Sequence, residues 1–327
     1  MTKVYRNKKI LITGGLGFIG SNLAIALVHI GADVEVYDAL IGGMGGNLFN
    51  IDPVKGDLRI TIADLRDEKK ITKAVRSKDF IFNLAGTLSH IDSMENPFMD
   101  LDINCRAQLQ LLEACRKVNS SAKIVYAGTR NQYGKAKYLP VDENHPLEPT
   151  DINGVNAIAG EKYHMMYSRV YGIKVVSLRM TNTFGPRHQM KHSKQGVLNW
   201  FIRLLMDKKT IGLMGGGTQI RDINYVDDVV NALILAGGSK AAGGEVYNLG
   251  GCPLSLRDFV RKVIKVLGYG KWVVTKFPDE RKAIEIGNYI ADITKISKEF
   301  GWKPKTNVVE GIKKTIEYYQ KYKKYYW

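Results

Sequence analysis

The stretch TGGLGFIG, Thr13–Gly20, decides the fold of this chain. It joins the apolar run Lys9–Thr13, which is typical of a buried strand, to Gly20–Ile30, where apolar residues recur at helical spacing. Glycines at every third position let the chain turn tightly and let its backbone N–H groups approach a pyrophosphate. The stretch therefore predicts a dinucleotide-binding turn, formed by Gly14, Gly17, Phe18, Ile19 and Gly20.

An acidic residue, Asp38, closes the second predicted strand, Val34–Tyr37, and follows Gly20 by 18 residues. A carboxylate at this position accepts hydrogen bonds from the ribose hydroxyls of adenosine and repels a 2′-phosphate. The chain is therefore predicted to bind NAD rather than NADP. An ordinary strand–turn–helix with a solvated aspartate is the alternative.

Strand-like and helix-like segments alternate through the first half of the sequence. Further strands are predicted at Arg59–Ala63, Phe80–Leu84, Lys123–Tyr126 and Lys174–Leu178, and helices at Lys69–Val75, Leu101–Val118 and Gly154–Tyr171. This alternation predicts an α/β fold, a doubly wound parallel sheet (Rossmann) with a smaller C-terminal substrate lobe. We place the NAD-binding domain at residues 1–180, with strands contributed from about 220–250, and the substrate lobe mainly at 181–327.

The composition excludes several classes of protein. A chain of 327 residues that is 45% hydrophobic and 24% charged has the profile of a folded globular protein. No apolar run reaches the roughly 18 residues that span a bilayer, so no membrane partner is expected. The three cysteines are unclustered and neither CxxC nor HExxH occurs, which favours a cytoplasmic location and no metal site. The net charge of +16 attracts anions, but the lysines lie in short patches typical of solvated helix faces, so no nucleic-acid partner is expected.

Motifs spread along the chain carry a resemblance to a known family. They are Asp64-Leu65, Asn83-Leu84-Ala85-Gly86, Ser89-His90-Ile91-Asp92, Thr129 within AGTRNQYG, and Tyr225-Val226-Asp227-Asp228. Together with the glycine turn, the sequence resembles the extended short-chain dehydrogenase/reductases, specifically the NAD-dependent nucleotide-sugar epimerase/dehydratase family. The resemblance implies a nucleotide-sugar substrate and a homodimer formed by the helices at 101–118 and 154–171. It also implies cofactor contacts from Asp64, Leu65, Leu84, Ala85 and Gly86.

The same resemblance implies a reaction in which the cofactor takes hydride from a sugar carbon. A tyrosine within YxxxK removes the hydroxyl proton, and a Ser or Thr hydroxyl, here Thr129, polarises the same group. In this sequence Asn153 stands where the tyrosine belongs and Ala157 where the lysine belongs. An amide is no base near neutral pH, and a methyl group supplies no charge. We therefore expect an epimerase with atypical catalytic residues, acting on a UDP-sugar through a transient keto-sugar. In it Asn153 and Ala157 occupy the catalytic positions, and Asn153 replaces the tyrosine by working with another acid/base.

Several alternatives follow from this departure. His90 or Asp92 carries the proton instead, with Tyr133 a weaker candidate, or these side chains serve only as hydrogen-bonding supports. A second alternative is a catalytically silent protein that binds NAD and a sugar nucleotide, either by nature or because the two positions were engineered. A nucleotide-sugar dehydratase or decarboxylase is a third, although Arg130-Asn131 replaces the acidic pair that follows the threonine in the 4,6-dehydratases.

Substrate contacts are expected from cationic and polar side chains near these motifs. The resemblance assigns Arg221 and Arg281 to the diphosphate, Asn182 to the phosphate or sugar, and Ser89 to the substrate. A guanidinium suits phosphate oxygens because it can bind them in a bidentate manner. Arg130 meets a substrate anion, such as a uronate carboxylate, or is a solvent-exposed loop cation.

Two stretches of the second half are expected to play no part in the site. The basic loop that holds Lys191, His192 and Lys194 is expected to be solvated, and a loop that covers the site is the alternative. The aromatic tail that runs from Tyr318 to Trp327 is expected to pack the last helix against the core rather than to stack on bases.

Overall fold

The computed structural model describes residues 2–241, 243–278 and 284–327, and a seven-stranded sheet lies at its centre. Neighbouring strands are all parallel, in the order β3-β2-β1-β4-β5-β6-β10. The order reverses direction at β1, as in a doubly wound sheet, and this confirms the predicted fold class. The strands are β1 (Lys9–Thr13), β2 (Asp33–Asp38), β3 (Arg59–Ile62), β4 (Phe80–Asn83), β5 (Lys123–Thr129), β6 (Val175–Met180) and β10 (Gly243–Asn248).

Helices cover both faces of this sheet. They are α1 (Phe18–Ile30), α2 (Glu68–Val75), α3 (His90–Glu95), α4 (Pro97–Leu101), α5 (Ala107–Val118), α6 (Ile152–Tyr171), α7 (Val197–Met206), α8 (Val226–Gly238), α9 (Leu256–Leu267), α10 (Thr294–Phe300) and α11 (Val308–Tyr322). Side chains alternate across each strand, so Ile10 and Ile12 pack with α1 and α8 while Leu11 packs with α2 and α5. Two buried cores result, one on each face.

Short strands in the second half form two smaller sheets. β7 (Asn182–Phe184), β9 (Ile220–Tyr225) and β11 (Cys252–Ser255) form one sheet, and β8 (Ile211–Met214) pairs with β12 (Trp272–Thr275) in the other. Their apolar residues join the core beneath α1 and α8, so the C-terminal region is packed directly on the large sheet. The end of the chain does the same: Tyr319 and Tyr326 are buried, which confirms the expected core packing of the aromatic tail.

The predicted helix 101–118 is interrupted by a π-helical segment, Asp102–Arg106, between α4 and α5. Asn104 lies in this segment, and its side chain donates to the Thr87 hydroxyl (2.7 Å) and accepts from the Thr87 backbone N–H (3.0 Å). Helix α6 passes so close that a Cβ added to Gly160 would lie 2.7 Å from the Asn104 carbonyl oxygen. The wider turn therefore aims Asn104 at the segment that follows β4, a contact that apolar periodicity does not reveal.

Two kinds of feature are absent from the described residues. None of their helices is both long and apolar enough to cross a membrane. No group of three or more His, Cys, Asp or Glu side chains within them is arranged to hold a metal ion.

Candidate active site

A single cavity of about 710 Å³ runs along the carboxyl ends of β1, β2, β4 and β5 and reaches the small sheet that holds β7 and β9. Parallel strands present their ligands at this edge. All the residues predicted to bind the cofactor line it: Gly14, Gly17, Phe18, Ile19, Gly20, Asp38, Asp64, Leu65, Leu84, Ala85 and Gly86. So do Thr129, Asn153, Ala157 and His90 of the predicted catalytic set, and Arg130, Asn182 and Arg221 of the predicted substrate set.

The glycine turn at one end of the cavity has the shape of a phosphate cradle. Gly14 has a φ of +66°, and a Cβ there would lie 2.8 Å from the Leu84 carbonyl oxygen. A Cβ on Gly20 would lie 2.2 Å from the Gly14 carbonyl oxygen, so the turn cannot close with any larger residue. Gly17 caps α1 without a side-chain hydrogen bond, which leaves the first backbone N–H groups of the helix for an anionic ligand.

Two carboxylates lie farther along the cofactor side. Asp38 closes β2, and its two oxygens accept from the backbone N–H groups of Leu16 (3.0 Å) and Leu40 (2.9 Å). Burial raises the pKa of Asp38, although these two hydrogen bonds oppose the rise. Asp64 is held by the side chain of Arg66 (3.0 and 2.7 Å), and this hydrogen bonding lowers the pKa of its carboxyl. The side chains of Asp38 and Asp64 are therefore held in place in the lining of the cavity.

The two positions that depart from YxxxK lie on one face of α6. Asn153 is 1% exposed, and its amide donates to the Thr87 carbonyl oxygen (2.8 Å) and to Asp100 (3.0 Å). Asp100 also accepts from the Thr87 hydroxyl (2.6 Å), so this carboxylate holds the segment in place without a cation. Ala157 follows one turn later and is also buried. Asn153 is thus fixed by its neighbours, and its amide does not gain or lose a proton near neutral pH.

His90 is the first residue of α3, beside this face of α6, and its side chain remains 37% exposed. Its Nδ1 lies in hydrogen-bond contact with the Asp151 carboxylate. Asp151 is buried and caps α6 by accepting from the Gly154 N–H (2.8 Å). The contact with Asp151 occupies Nδ1 of the His90 ring and leaves Nε2 for a ligand in the cavity. The other histidine in the described lining, His188, differs because its burial lowers its pKa to about 4.

The sequence does not identify Asp151 as a catalytic candidate, although it does predict Asp151 as a helix N-cap. An aspartate two residues before Asn153 and directly before an apolar-periodic segment is a typical cap. What the sequence does not show is that the second oxygen of this cap reaches a histidine 61 residues earlier in the chain. That contact depends on how α3 packs against α6.

Thr129 ends β5 half-buried, with its hydroxyl oxygen accepting from the Asn131 N–H (3.2 Å). The hydroxyl hydrogen is therefore available to a ligand in the cavity. Tyr133, the weaker candidate for proton transfer, is fully buried away from the cavity. Its hydroxyl accepts from Arg179 (2.7 Å) and donates to Asn248 (2.7 Å), and burial raises its pKa to about 12. Tyr133 consequently supports the core and does not face substrate.

The far end of the cavity is polar and poorly paired. Arg221 binds Glu285 (2.5 Å) and the Gly287 carbonyl oxygen (2.5 Å). Three other residues of the lining, Arg130, Asn153 and Asn182, each carry a buried polar atom without a hydrogen-bond partner. Arg130 is 7% exposed, so the structure corrects the alternative in which it was a solvent-exposed loop cation. Buried polar groups without partners are costly, and their concentration here indicates a polar ligand.

Two predicted residues, Ser89 and Asp92, do not join this arrangement, and a third lies outside the described residues. Ser89 is buried and caps α3, accepting from the Asp92 N–H (3.1 Å). Asp92 forms an ion pair with Lys194, and neither Ser89 nor Asp92 is among the described lining residues. The basic loop is therefore not simply solvated, since Lys194 reaches α3 and lines the cavity. Arg281 lies outside the residues that the structure describes.

Comparison with known proteins agrees with this geometry. The family model for GDP-mannose 4,6 dehydratase matches residues 11–315. A putative UDP-glucose 4-epimerase of Methanocaldococcus jannaschii is 34% identical over 313 residues, which cover 94% of this chain and 97% of that protein. The crystal structure of a Thermotoga maritima UDP-glucose 4-epimerase with UDP-glucose has a TM-score of 0.88 and 29% identity, over 96% of this chain and 99% of that one.

A third similar protein is the dTDP-glucose 4,6-dehydratase of Streptomyces venezuelae, whose crystal structure has NAD bound. Its TM-score is 0.88 at 25% identity, over 97% of this chain and 98% of that one. The family match spans nearly the whole chain, as the motif resemblance does. The chain therefore belongs to the GDP-mannose 4,6 dehydratase family, among the nucleotide-sugar epimerases and dehydratases of the extended short-chain dehydrogenase/reductase type.

Proposed function

We propose that this protein is an NAD-dependent nucleotide-sugar epimerase that acts on a UDP-sugar through a transient keto-sugar. One observation carries the proposal: the same cavity is lined by the glycine cradle, by the polar cluster at β7 and β9, and by Thr129 and His90. The Thermotoga maritima epimerase binds UDP-glucose and the Streptomyces venezuelae dehydratase binds NAD, which supports the choice of both ligands.

The residues of the cofactor end fit NAD. The first backbone N–H groups of α1, at Phe18, Ile19 and Gly20, have no side-chain cap and would meet a pyrophosphate held in the glycine cradle, and Asp38 lies where an adenosine ribose would reach it. When bound, NAD would accept hydride from a sugar carbon and return it to the opposite face. The other roles in the reaction fall to side chains of the protein.

Thr129 would donate its hydroxyl hydrogen to the substrate oxygen, and His90 would take the hydroxyl proton at Nε2. The Asp151 carboxylate fixes the ring through Nδ1 and stabilises the imidazolium that results. Return of this proton would restore the hydroxyl after the sugar has turned within the cavity. Asn153 cannot perform this step because an amide is no base near neutral pH, and its NH2 group already donates to Thr87 and Asp100.

Epimerisation suits the site better than 4,6-dehydration, which needs an acid and a base across two further sugar carbons. The described lining contains the carboxylates of Asp38, Asp64 and Glu285. The first two lie at the cofactor end, and Glu285 is paired with Arg221. No carboxylate of the described lining is thus left to eliminate water beside Thr129.

The decisive experiment is proton NMR of the protein with NAD and a panel of UDP-, dTDP- and GDP-sugars. A new anomeric signal supports the epimerase and names its substrate. Saturation transfer to a ligand without any new product would favour the alternative, a catalytically silent binding protein. That alternative has one specific observation behind it, the replacement of both YxxxK residues by Asn153 and Ala157.

We further propose a cytoplasmic homodimer without a nucleic-acid partner, with the division between domains at residue 180. The outer side of α6 supports the dimer, since Val155 is 51% and Val170 62% exposed. Light scattering at micromolar concentration is expected to give twice the chain mass of 36.6 kDa. A monomeric mass would contradict the dimer.

A further inference from the structure

Arg130 lies next to the residue that would hold the reacting hydroxyl. It follows Thr129 directly and opens the short 3-10 segment Arg130–Tyr133. Its side chain is buried, lines the cavity and is positioned by the Tyr289 ring, whose centre lies 5.3 Å from the guanidinium carbon. This placement puts a cation inside the site, at its sugar end.

The guanidinium of Arg130 has no hydrogen bond or ion pair with the described residues, and its Nη1 is buried without a partner. The nearby carboxylates already have partners. Glu285 binds Arg221 (2.5 Å), and Asp222 accepts from the backbone N–H groups of Gly251 (2.5 Å) and Ala291 (2.9 Å). Burial, with Arg221 beside it, lowers the pKa of Arg130 to about 10, so the side chain stays charged at neutral pH.

A buried cation without a partner is stable in the working complex only if the ligand brings an anion. Two anionic groups are conceivable on a nucleotide sugar, the diphosphate and a carboxylate on the sugar. Neighbouring Cα atoms are about 3.8 Å apart, so the backbone of Arg130 lies close to the substrate hydroxyl that Thr129 would hold. The exocyclic carbon of a hexose, C6, is separated by a single ring carbon from C4, the carbon that carries the 4-hydroxyl. A carboxylate there matches the reach and the planar fork of the guanidinium.

We propose that the substrate is a nucleoside-diphosphate uronate, whose sugar carries a carboxylate, and that Arg130 is the residue that selects it. This inference rests on the proposed function. A neutral hexose would leave Arg130 buried and unpaired. The diphosphate is left to Arg221, which lies beside Arg130 and also binds Glu285 (2.5 Å), and to backbone groups of the lining.

The test is calorimetric titration, with NAD present, of UDP, UDP-glucose and UDP-glucuronate into the wild-type protein and two variants. A hydrogen-bonded ion pair predicts that the wild type binds UDP-glucuronate about 30-fold more tightly than UDP-glucose. Arg130→Met is expected to remove this difference while changing the affinity for UDP-glucose less than about threefold. Arg130→Lys is expected to retain part of the preference, because it keeps the charge and loses the fork. Circular dichroism checks that both variants fold.

Three results would overturn the inference, and they are distinguishable. Equal wild-type affinity for UDP-glucose and UDP-glucuronate contradicts the carboxylate and leaves the epimerase proposal standing. Equal weakening of UDP, UDP-glucose and UDP-glucuronate in Arg130→Met shows that Arg130 binds the diphosphate instead. No binding of any of the three UDP ligands contradicts the proposed UDP-sugar substrate itself, and the inference falls with it.

Discussion

Replacement of His90 by asparagine is expected to lower kcat by about 100- to 10,000-fold, the usual loss when a positioned base is removed. The loss should appear in kcat with little change in KM, because His90 is half-exposed and the binding residues lie elsewhere in the cavity. The matched control is His29→Asn, on the exposed last turn of α1, which should leave both constants unchanged.

Replacement of Asp151, the partner of His90, is expected to lower kcat by a smaller factor. Asp151→Asn keeps an oxygen that can accept from the Gly154 N–H and cap α6, but it removes the charge beside the imidazole. A hydrogen bond to a charged group is worth about 1.5–3 kcal/mol, so kcat should fall by about 10- to 150-fold. Because the two residues act as one unit, the double variant should be no slower than His90→Asn alone.

The assay is the NMR time course of epimerisation at saturating sugar nucleotide, with each variant checked for fold by circular dichroism. A His90→Asn variant that retains kcat within about threefold of the wild type would refute the reasoning. Additive losses in the double variant would show instead that Asp151 acts independently of His90.

Three further outcomes are expected. Asp38→Asn removes the charge that repels a 2′-phosphate, and calorimetric titration should show the preference for NAD over NADP narrowing by about tenfold; an unchanged ratio would place the selectivity elsewhere. Glu161→Ala leaves the buried guanidinium of Arg179 (2.5 Å from the Glu161 carboxylate) without its counter-charge, so urea unfolding should show a loss of about 3–5 kcal/mol; a loss below about 1 kcal/mol would contradict this. Introducing Asn153→Tyr and Ala157→Lys into the slow histidine variant should restore turnover by at least about tenfold, because a phenol and an ammonium supply another base; no recovery would show that α6 no longer presents these positions to substrate.

The large sheet could be predicted from the sequence because each of its signals is local. The glycine turn, the apolar strands and the helix between them follow one another along the chain, and parallel topology then leaves few arrangements. The cofactor end of the cavity could be predicted for the same reason, since Gly14, Gly17 and Gly20 lie within eight residues of Thr13. The two small sheets were not predicted strand by strand, because strands of three to six residues carry little periodicity.

The catalytic end depends on contacts between distant segments, which sequence patterns do not report. The motif around His90 suggested Ser89 and Asp92 as site residues, yet Ser89 is used as a helix cap and Asp92 is paired with Lys194. Asp151 became a candidate only once α3 was seen against α6. The surroundings of Arg130 likewise include the ring of Tyr289, which lies 159 residues away in the sequence.

The most direct test of the central claim, turnover without the YxxxK tyrosine, is the near-ultraviolet absorbance of reduced nicotinamide on mixing the NAD-loaded protein with its sugar nucleotide. We predict that this absorbance rises and then settles in the wild type, and that it does not rise in His90→Asn although the ligand still binds. A wild-type protein that binds the same ligand with no change in absorbance, and forms no product, would contradict the account and leave a silent binding protein.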